Sequence, residues 1–253
     1  MTDMAVEFSR VVKVYGDGAT EVRALDGLDL AIAKGEFVAV MGPSGCGKST
    51  LLHLAGALES PTAGAVWVNG VDLSTLDAAG RAALRRTEVG FVFQRLNLIA
   101  SLTAVENVAL PLELNGMSAR RARPLAVEAL SAVGLTQQLD RYPDHFSGGQ
   151  QQRIAIARAV VGGRGVLLAD EPTGSLDSRT ADEMVELLAA LPAASGATVV
   201  LVTHEPRFAS WADRVVFLRD GAVVDQTRTV APAVVEPVAV ESASEPSTQA
   251  PVG

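Results

Sequence analysis

Gly42-Pro43-Ser44-Gly45-Cys46-Gly47-Lys48-Ser49-Thr50 stands between two apolar segments, Phe37-Val38-Ala39-Val40-Met41 ahead of it and Leu51-Leu52-His53-Leu54-Ala55 behind. The first segment has no polar member, as in a strand buried on both faces of a sheet. The second contains good helix formers and no breaker. Strand, glycine-rich loop and helix in that order, with the spacing G-x-x-x-x-G-K-[ST], read as a phosphate-binding loop. Its glycines let successive backbone N–H groups converge on an anion, and the helix start adds a partial positive charge. Lys48 is then placed to reach the β- and γ-phosphates, and the Ser49 hydroxyl to ligate Mg²⁺. The expected ligand is a nucleoside triphosphate. Cys46 lies inside the loop, so alkylating its thiol is expected to block that ligand and the ligand to protect the thiol.

The whole chain limits what this loop can serve. At 253 residues it holds one large domain or two small ones, and its 48% hydrophobic, 4% aromatic composition is aliphatic, as in a parallel sheet covered by helices. A net charge of −8 speaks against a nucleic-acid partner, which needs clustered excess Lys/Arg. The clusters Arg81/Arg85/Arg86 and Arg120/Arg121/Arg123 read as solvated helix faces. One cysteine allows no intrachain disulfide and fits a reducing compartment. Asp3 and Glu7 without an apolar stretch do not read as a signal peptide. The longest uncharged run, Leu187 to Thr203, is interrupted by Pro192 and Ser195-Gly196, so it reads as a helix end, a turn and a strand rather than a membrane span. The expectation is a soluble chain, or one that reaches a membrane only through a partner.

Upstream of the loop, residues 4–41 alternate apolar runs with turns at Gly16-Asp17-Gly18, Asp26-Gly27 and Lys34-Gly35, the pattern of antiparallel strands. Tyr15, before the first turn, is either a base-stacking ring or a half-buried strand residue. Downstream, Ala65–Gly70 reads as a strand ending in a hairpin turn, 77–86 as a helix, and Val89–Phe93 as a buried strand. Gln94 follows that strand at the carboxyl edge, where α/β sheets bind ligands, placed to meet Mg²⁺ or attacking water. From Leu96 to Val161 the strand signal disappears. Thr103–Ala109, Ala119–Val133 and Gly149–Val161 carry helical spacing, an all-helical block inserted between strands. Its last helix opens on Phe146-Ser147-Gly148-Gly149-Gln150-Gln151-Gln152-Arg153, a second phosphate-ready terminus. Such a terminus is either a structural cap or serves another subunit's nucleotide.

Strand character returns at Val166–Ala169 and ends in Asp170-Glu171, one carboxylate to hold Mg²⁺ and one to orient or deprotonate water. Thr173-Gly174-Ser175-Leu176-Asp177 makes a polar turn before a helix at 179–190. Ala197–Val202 is a further buried strand followed by His204, placed to hydrogen-bond a γ-phosphate. Arg214–Leu218 and Ala222–Gln226 close a hairpin around Arg219-Asp220-Gly221. Residues 229–253 hold four prolines, three glutamates and no aromatic or basic residue, a composition that cannot build a core and reads as a disordered tail.

With Gln94, Ser147–Arg153, Asp170-Glu171, Ser175–Asp177 and His204 following the phosphate loop in that order, residues 4–228 resemble the nucleotide-binding subunit of an ABC transporter. The resemblance implies a P-loop NTPase fold: a RecA-like parallel sheet, an N-terminal antiparallel β subdomain and an inserted helical subdomain at about 96–162, together filling 1–228. It implies ATP and Mg²⁺ as ligands. Tyr15 would stack on adenine, Gly42–Thr50 would be Walker A, and Gln94 the Q-loop residue that couples metal to the transmembrane partner. Ser147, Gly148, Gly149 and Gln150 would form the signature motif, acting on the γ-phosphate bound to a second copy. Asp170 would be the Walker B metal ligand, Glu171 the catalytic base, Asp177 part of the D-loop and His204 the switch histidine. Two chains would then sandwich two ATP molecules as a homodimer at the cytoplasmic face of the membrane, touching the bilayer only through permease subunits.

Phe91–Leu98, Leu102–Val108 and Leu168–Asp177 resemble the lipoprotein-release, macrolide-export and cell-division branch, which implies export, lipoprotein extraction or a periplasmic machine. The motif departs from the pattern at Phe146, where leucine is usual. Gly165 stands where a proline commonly precedes Walker B, and is expected to loosen that loop. A soluble non-transport ABC ATPase and a regulatory ATP-sensing module are the alternatives; the chain shows neither a coiled-coil insertion nor a second phosphate loop, and Glu171, Gln94 and His204 are all present.

Overall fold

The computed structural model describes residues 3–174 and 176–228; Ser175 and the expected tail at 229–253 lie outside the described residues. The chain opens with β1 (Met4–Tyr15) and β2 (Val22–Ala33), and β3 (Phe37–Met41) then leads through the glycine loop into α1 (Lys48–Ala55). A hairpin of β4 (Ala63–Val68) and β5 (Val71–Asp72) follows, then α2 (Ala78–Thr87) and β6 (Val89–Phe93). Helices α3 (Ala104–Leu114), α4 (Ala119–Ala132) and α5 (Gly148–Val160) occupy the interval before β7 (Val166–Asp170). The remainder is α6 (Ser178–Ser195), β8 (Thr198–Val202), the short α7 (Pro206–Ala209), β9 (Arg214–Arg219) and β10 (Ala222–Arg228).

Two sheets result. β2-β1-β4-β5 is antiparallel, and the larger sheet runs β10-β9-β3-β8-β7-β6, parallel except for β10 at its edge. The strands of the larger sheet alternate between two cores. Val38, Val40, Leu168, Val200 and Val202 pack with α1 and the antiparallel sheet, while Phe37, Ala39, Leu167, Ala169, Val199 and Leu201 pack with α3 to α6. Burial on both faces explains why these strands read as unbroken apolar runs. β3 lies between β8 and β9 in the sheet. The loop after β3 therefore opens beside the carboxyl ends of β8 and β7, where chain connections reverse direction and open α/β sheets form a crevice.

Several local expectations change. Asp26-Gly27 is no turn: it lies inside β2, where pairing steps from Val11↔Leu28 to Lys13↔Leu25 and leaves an extra residue as a bulge. The Asp26 N–H donates to the Gly221 carbonyl at 3.0 Å, fastening β2 to the β9–β10 hairpin. The expected stop at Pro192 is overridden; α6 continues one turn to Gly196, whose left-handed backbone (φ 72°) ends it. Pro111 likewise lies inside α3, which runs to Leu114 rather than Ala109. The Arg81/Arg85/Arg86 face is half-buried, with Arg85 donating to the Ala57 carbonyl at 2.7 Å. Gly165 does not loosen its loop, because its carbonyl accepts the Thr198 N–H at 2.8 Å while the Val166 N–H donates to Glu88 at 3.0 Å. Phe146 fills the core slot that its position demands, 7% exposed.

The helical block begins on a capping box, Thr103 with Glu106, and its last helix on another, Ser147 with Gln150. Val105, Val108, Ala122, Ala126, Leu130 and Ile154 are wholly buried where α3, α4 and α5 meet, in the same cluster as the sheet face below them. Buried Asn107 accepts from the Ile99 N–H, and its Nδ2 shares two hydrogens among the carbonyls of Ile99, Leu102 and Thr103, 3.0 Å from each, which fixes the loop entering α3.

Candidate active site

The carboxyl edge of the parallel sheet gathers the polar residues. Gly47 caps α1 in the left-handed region (φ 104°), and a Cβ there would lie 2.3 Å from the Ala24 carbonyl of the bulged strand β2, so only glycine closes this turn. Lys48 is 8% exposed, and its ammonium donates to the Gly42 and Pro43 carbonyls at 2.8 Å each. Above it lies a cavity of about 260 Å³ lined by Ala24, Ser44, Gly45, Gly47, Lys48, Ser49, Thr50 and Glu171. A larger hollow of about 770 Å³ sits at the opposite, amino edge of the strands, beside Gly35 and Glu36. Its Arg214 is already saturated by Glu36 at 2.7 and 2.9 Å, so size alone does not mark the site.

Asp170 ends β7. Burial pushes its carboxyl pKa upward, and the Ser49 hydroxyl bond and the nearby His53 and Lys48 pull it only part of the way back. Ser49 and Asp170 thus offer two hard oxygen donors side by side, one of them a carboxylate that a cation would stabilise. Among the described residues no three His, Cys, Asp or Glu side chains cluster as a protein-only metal cage. That donor set suits Mg²⁺, which takes one or two protein oxygens and completes its shell with phosphates and water.

The raised pKa has a stability consequence. The folded chain holds the Asp170 proton more tightly than the unfolded chain, so stability falls as pH rises from the ordinary aspartate range through the raised value and stays lower above it. Asp170→Asn should therefore raise the melting temperature of the nucleotide-free chain at neutral pH. Thermal melts check this, and an unchanged or lower value contradicts it.

Glu171 occupies left-handed backbone (φ 44°), strained for a side-chain-bearing residue, and is held there by its N–H bond to the Val202 carbonyl at 3.0 Å. Its Oε1 lies 3.4 Å from His204 Nδ1. His204 thus meets the carboxylate rather than lining the cavity. Gln94 is exposed at the end of β6 and leans on the turn after Glu171, where a Cβ on Gly174 would come within 2.9 Å of its Nε2. The fold thus brings Lys48, Ser49, Thr50, Asp170 and Glu171 together, with His204 and Gln94 one contact further out.

Tyr15 stands to one side, 37% exposed, with its hydroxyl donating to Glu59 at 2.6 Å. Ser147, Gly148, Gly149 and Gln150 do not line the cavity of their own chain. Ser147 and Gln150 exchange capping bonds at 3.3 and 3.0 Å on an exposed helix start. Gly149 lets α5 approach α6, since a Cβ there would meet Thr180 Cγ2 at 2.4 Å. Asp177 caps α6 by accepting from Thr180 N–H and hydroxyl at 3.1 and 2.7 Å, bonds that lower its pKa.

Cys46 is 5% exposed, outside the cavity lining, with its Sγ 3.9 Å from Lys48 Nζ. The thiol faces inward, so it is a poor target in the folded chain. Maleimide labelling should be slow with or without nucleotide and rapid after unfolding; fast labelling of the native chain would contradict this burial.

Ala24 and Arg158 had no sequence signal, and Gln152 had one only as a member of the Phe146–Arg153 stretch. Ala24 lines the cavity from a neighbouring strand. Gln152, 1% exposed, donates to the Pro172 carbonyl at 2.7 Å and ties α5 to the loop following Glu171. Arg158 donates to the Leu96 and Asn97 carbonyls at 2.7 Å each, tying α5 to the loop after Gln94.

Amide-lined loop, buried lysine and strand-end carboxylates on one sheet edge define a P-loop nucleoside triphosphatase. The family profile described as "ABC transporter" matches residues 25–174. The macrolide export ATP-binding/permease protein MacB of Hyphomonas neptunium is 47% identical over 227 residues, 90% of this chain and 35% of that protein. The uncharacterized ABC transporter ATP-binding protein MJ1508 of Methanocaldococcus jannaschii is 44% identical over 220 residues, 87% of this chain and 98% of that protein. Among solved structures, the dimeric post-hydrolysis state of the ATP-binding cassette MJ0796 bound to ADP and Pi superposes with a TM-score of 0.80 at 42% identity, covering 88% of this chain and 98% of that one. This chain belongs to the ABC transporter family, as an ATP-binding domain of the ATP-hydrolysing kind. It spans about a third of the length of the MacB relatives that it matches.

Proposed function

We propose that this chain hydrolyses ATP as one half of a homodimer and drives transmembrane permease subunits in export, lipoprotein extraction or periplasmic force transmission. The observation that carries this reading is the Ser147 helix start, a phosphate-ready terminus that is exposed and outside the cavity of its own chain. A second copy related by a two-fold axis offers that terminus to the first copy's nucleotide and receives the same in return. The dimeric structure of MJ0796 and the fused permease in the name of MacB support the two kinds of partner. No helix among the described residues is long and apolar enough to cross a membrane, which fits contact with the bilayer through the permease on the cytoplasmic side.

Within each site Lys48 exchanges the Gly42 and Pro43 carbonyls for phosphate oxygens, so loop closure and ligand charge compensate one another. Ser49 and Asp170, with Gln94 beyond them, would hold Mg²⁺, which when bound neutralises phosphate charge. Glu171 orients the attacking water and accepts its proton, and His204, 3.4 Å from that carboxylate, steadies it and would reach the terminal phosphate once nucleotide is bound. The ring of Tyr15 receives the adenine, and Asp177 positions the turn that meets the second copy. The chemistry asks for positioning and charge stabilisation more than for covalent bonds to protein. Phosphate release per chain should fall as the chain is diluted; constant specific activity down to concentrations where only single chains exist would refute the shared site.

A further inference from the structure

Glu59 follows α1 in a tight turn, its N–H and that of Leu58 both donating to the His53 carbonyl at 3.4 and 2.9 Å. Its carboxylate collects three donors from three directions: Tyr15 hydroxyl at 2.6 Å, Lys13 Nζ at 3.0 Å and His53 Nδ1 at 3.2 Å. Lys13 is itself fixed by the Ser60 carbonyl at 3.0 Å and lies 4.8 Å from the centre of the Tyr15 ring. The strand end beside it is pinned by the Val14 N–H on Thr62 Oγ1 at 3.0 Å. Tyr15 is thereby held at its hydroxyl and along one face while remaining 37% exposed. Burial and Glu59 raise the Tyr15 pKa, and Thr50, in the first turn of α1 and lining the cavity, pulls against them. Burial pushes the Glu59 carboxyl pKa up, but the bonds from Tyr15, Lys13 and His53 together outweigh it and hold it below the ordinary range. Glu59 is therefore charged at neutral pH, the state that accepts all three bonds.

We propose that Glu59 is a positioning residue for the nucleobase: its carboxylate fixes the Tyr15 ring beside the first turn of α1, so that the base stacks on a surface already in place. This rests on the reading of Tyr15 as the base platform. An unanchored tyrosine would lose rotamer freedom at each binding event, and the anchor removes that cost before the ligand arrives. None of the three bonds touches the phosphate loop amides, so the effect belongs to the base and not to the phosphates.

The test measures ATP turnover in the full chain carrying Glu59→Gln, Tyr15→Phe, both, or Tyr15→Ala, with inorganic tripolyphosphate as a base-free competitor. Glu59→Gln and Tyr15→Phe should each raise the KM for ATP about threefold to tenfold, the effect falling on KM rather than kcat. The double variant should be no worse than Tyr15→Phe alone, because Glu59→Gln weakens the bond that Tyr15→Phe removes. Tyr15→Ala should raise KM by about tenfold or more through lost stacking. The inhibition constant for tripolyphosphate should stay constant throughout. If it weakens with Glu59→Gln in step with ATP, Glu59 acts through α1 and the phosphate loop, and the proposal falls. It falls equally if Tyr15→Ala weakens ATP but Glu59→Gln does not. An unchanged KM in Tyr15→Ala would overturn the base-platform reading itself and the proposal with it, a failure separate from the other two.

Discussion

Glu171→Gln is expected to lower steady-state turnover about 10²- to 10⁴-fold, the range for loss of a positioned proton acceptor. ATP affinity is expected to hold, because the proposed phosphate contacts come from the loop, Lys48 and Ser49. The amide keeps the size of the side chain and its reach toward His204, and the backbone stays in the left-handed conformation that the Val202 bond imposes. What disappears is one negative charge and the ability to take a proton from water. Phosphate release and fluorescent-nucleotide titration check the two halves separately. A variant that turns over normally would remove Glu171 from the chemistry, and one that no longer binds ATP would make it structural.

Ser147→Arg is the second change with a large expected effect. The hydroxyl caps α5 through the Gln150 N–H, so losing it costs about 1 kcal/mol of stability. That is a modest shift in melting temperature, and the cavity of the same chain is untouched. Turnover, in contrast, should drop about 10²-fold or more, the scale of losing a donor group aimed at developing charge. The arginine blocks the one exposed helix start that a second copy would present to the terminal phosphate. Normal ATP binding together with failed hydrolysis is the expected pair of results. Equal loss of both would instead point to a folding defect, and loss of neither would free Ser147 from any catalytic part.

The phosphate loop, the buried strands and the strand-end acids were legible because each depends on local chemistry. Val38, Val40, Leu168 and Val200 are apolar because the sheet is covered on both sides, and such runs need no partner to be recognised. Ser147, Asp77 and Thr103 announce helix starts by side-chain bonds within three residues. Where the reading failed, distant residues decided. Asp26-Gly27 has the letters of a turn, but pairing with β1 and a bond to Gly221 make it a bulge. Pro192 breaks a helix by its own chemistry, yet packing of α6 carries the helix on to Gly196. His204 and Glu171 lie far apart in sequence and meet only because β7 and β8 are neighbours. Glu59 and Arg158 carry no motif, and Tyr15 and Asn97, to which they bond, lie 44 and 61 residues away.

The proposed reaction centre is divided between two copies of the chain. Sedimentation equilibrium of the Glu171→Gln chain, with and without saturating ATP, measures this directly. Without nucleotide the mass should be that of one chain, and with ATP twice that, since the nucleotide is bound but not consumed. A single-chain mass at saturating ATP, with the nucleotide demonstrably bound, would contradict it.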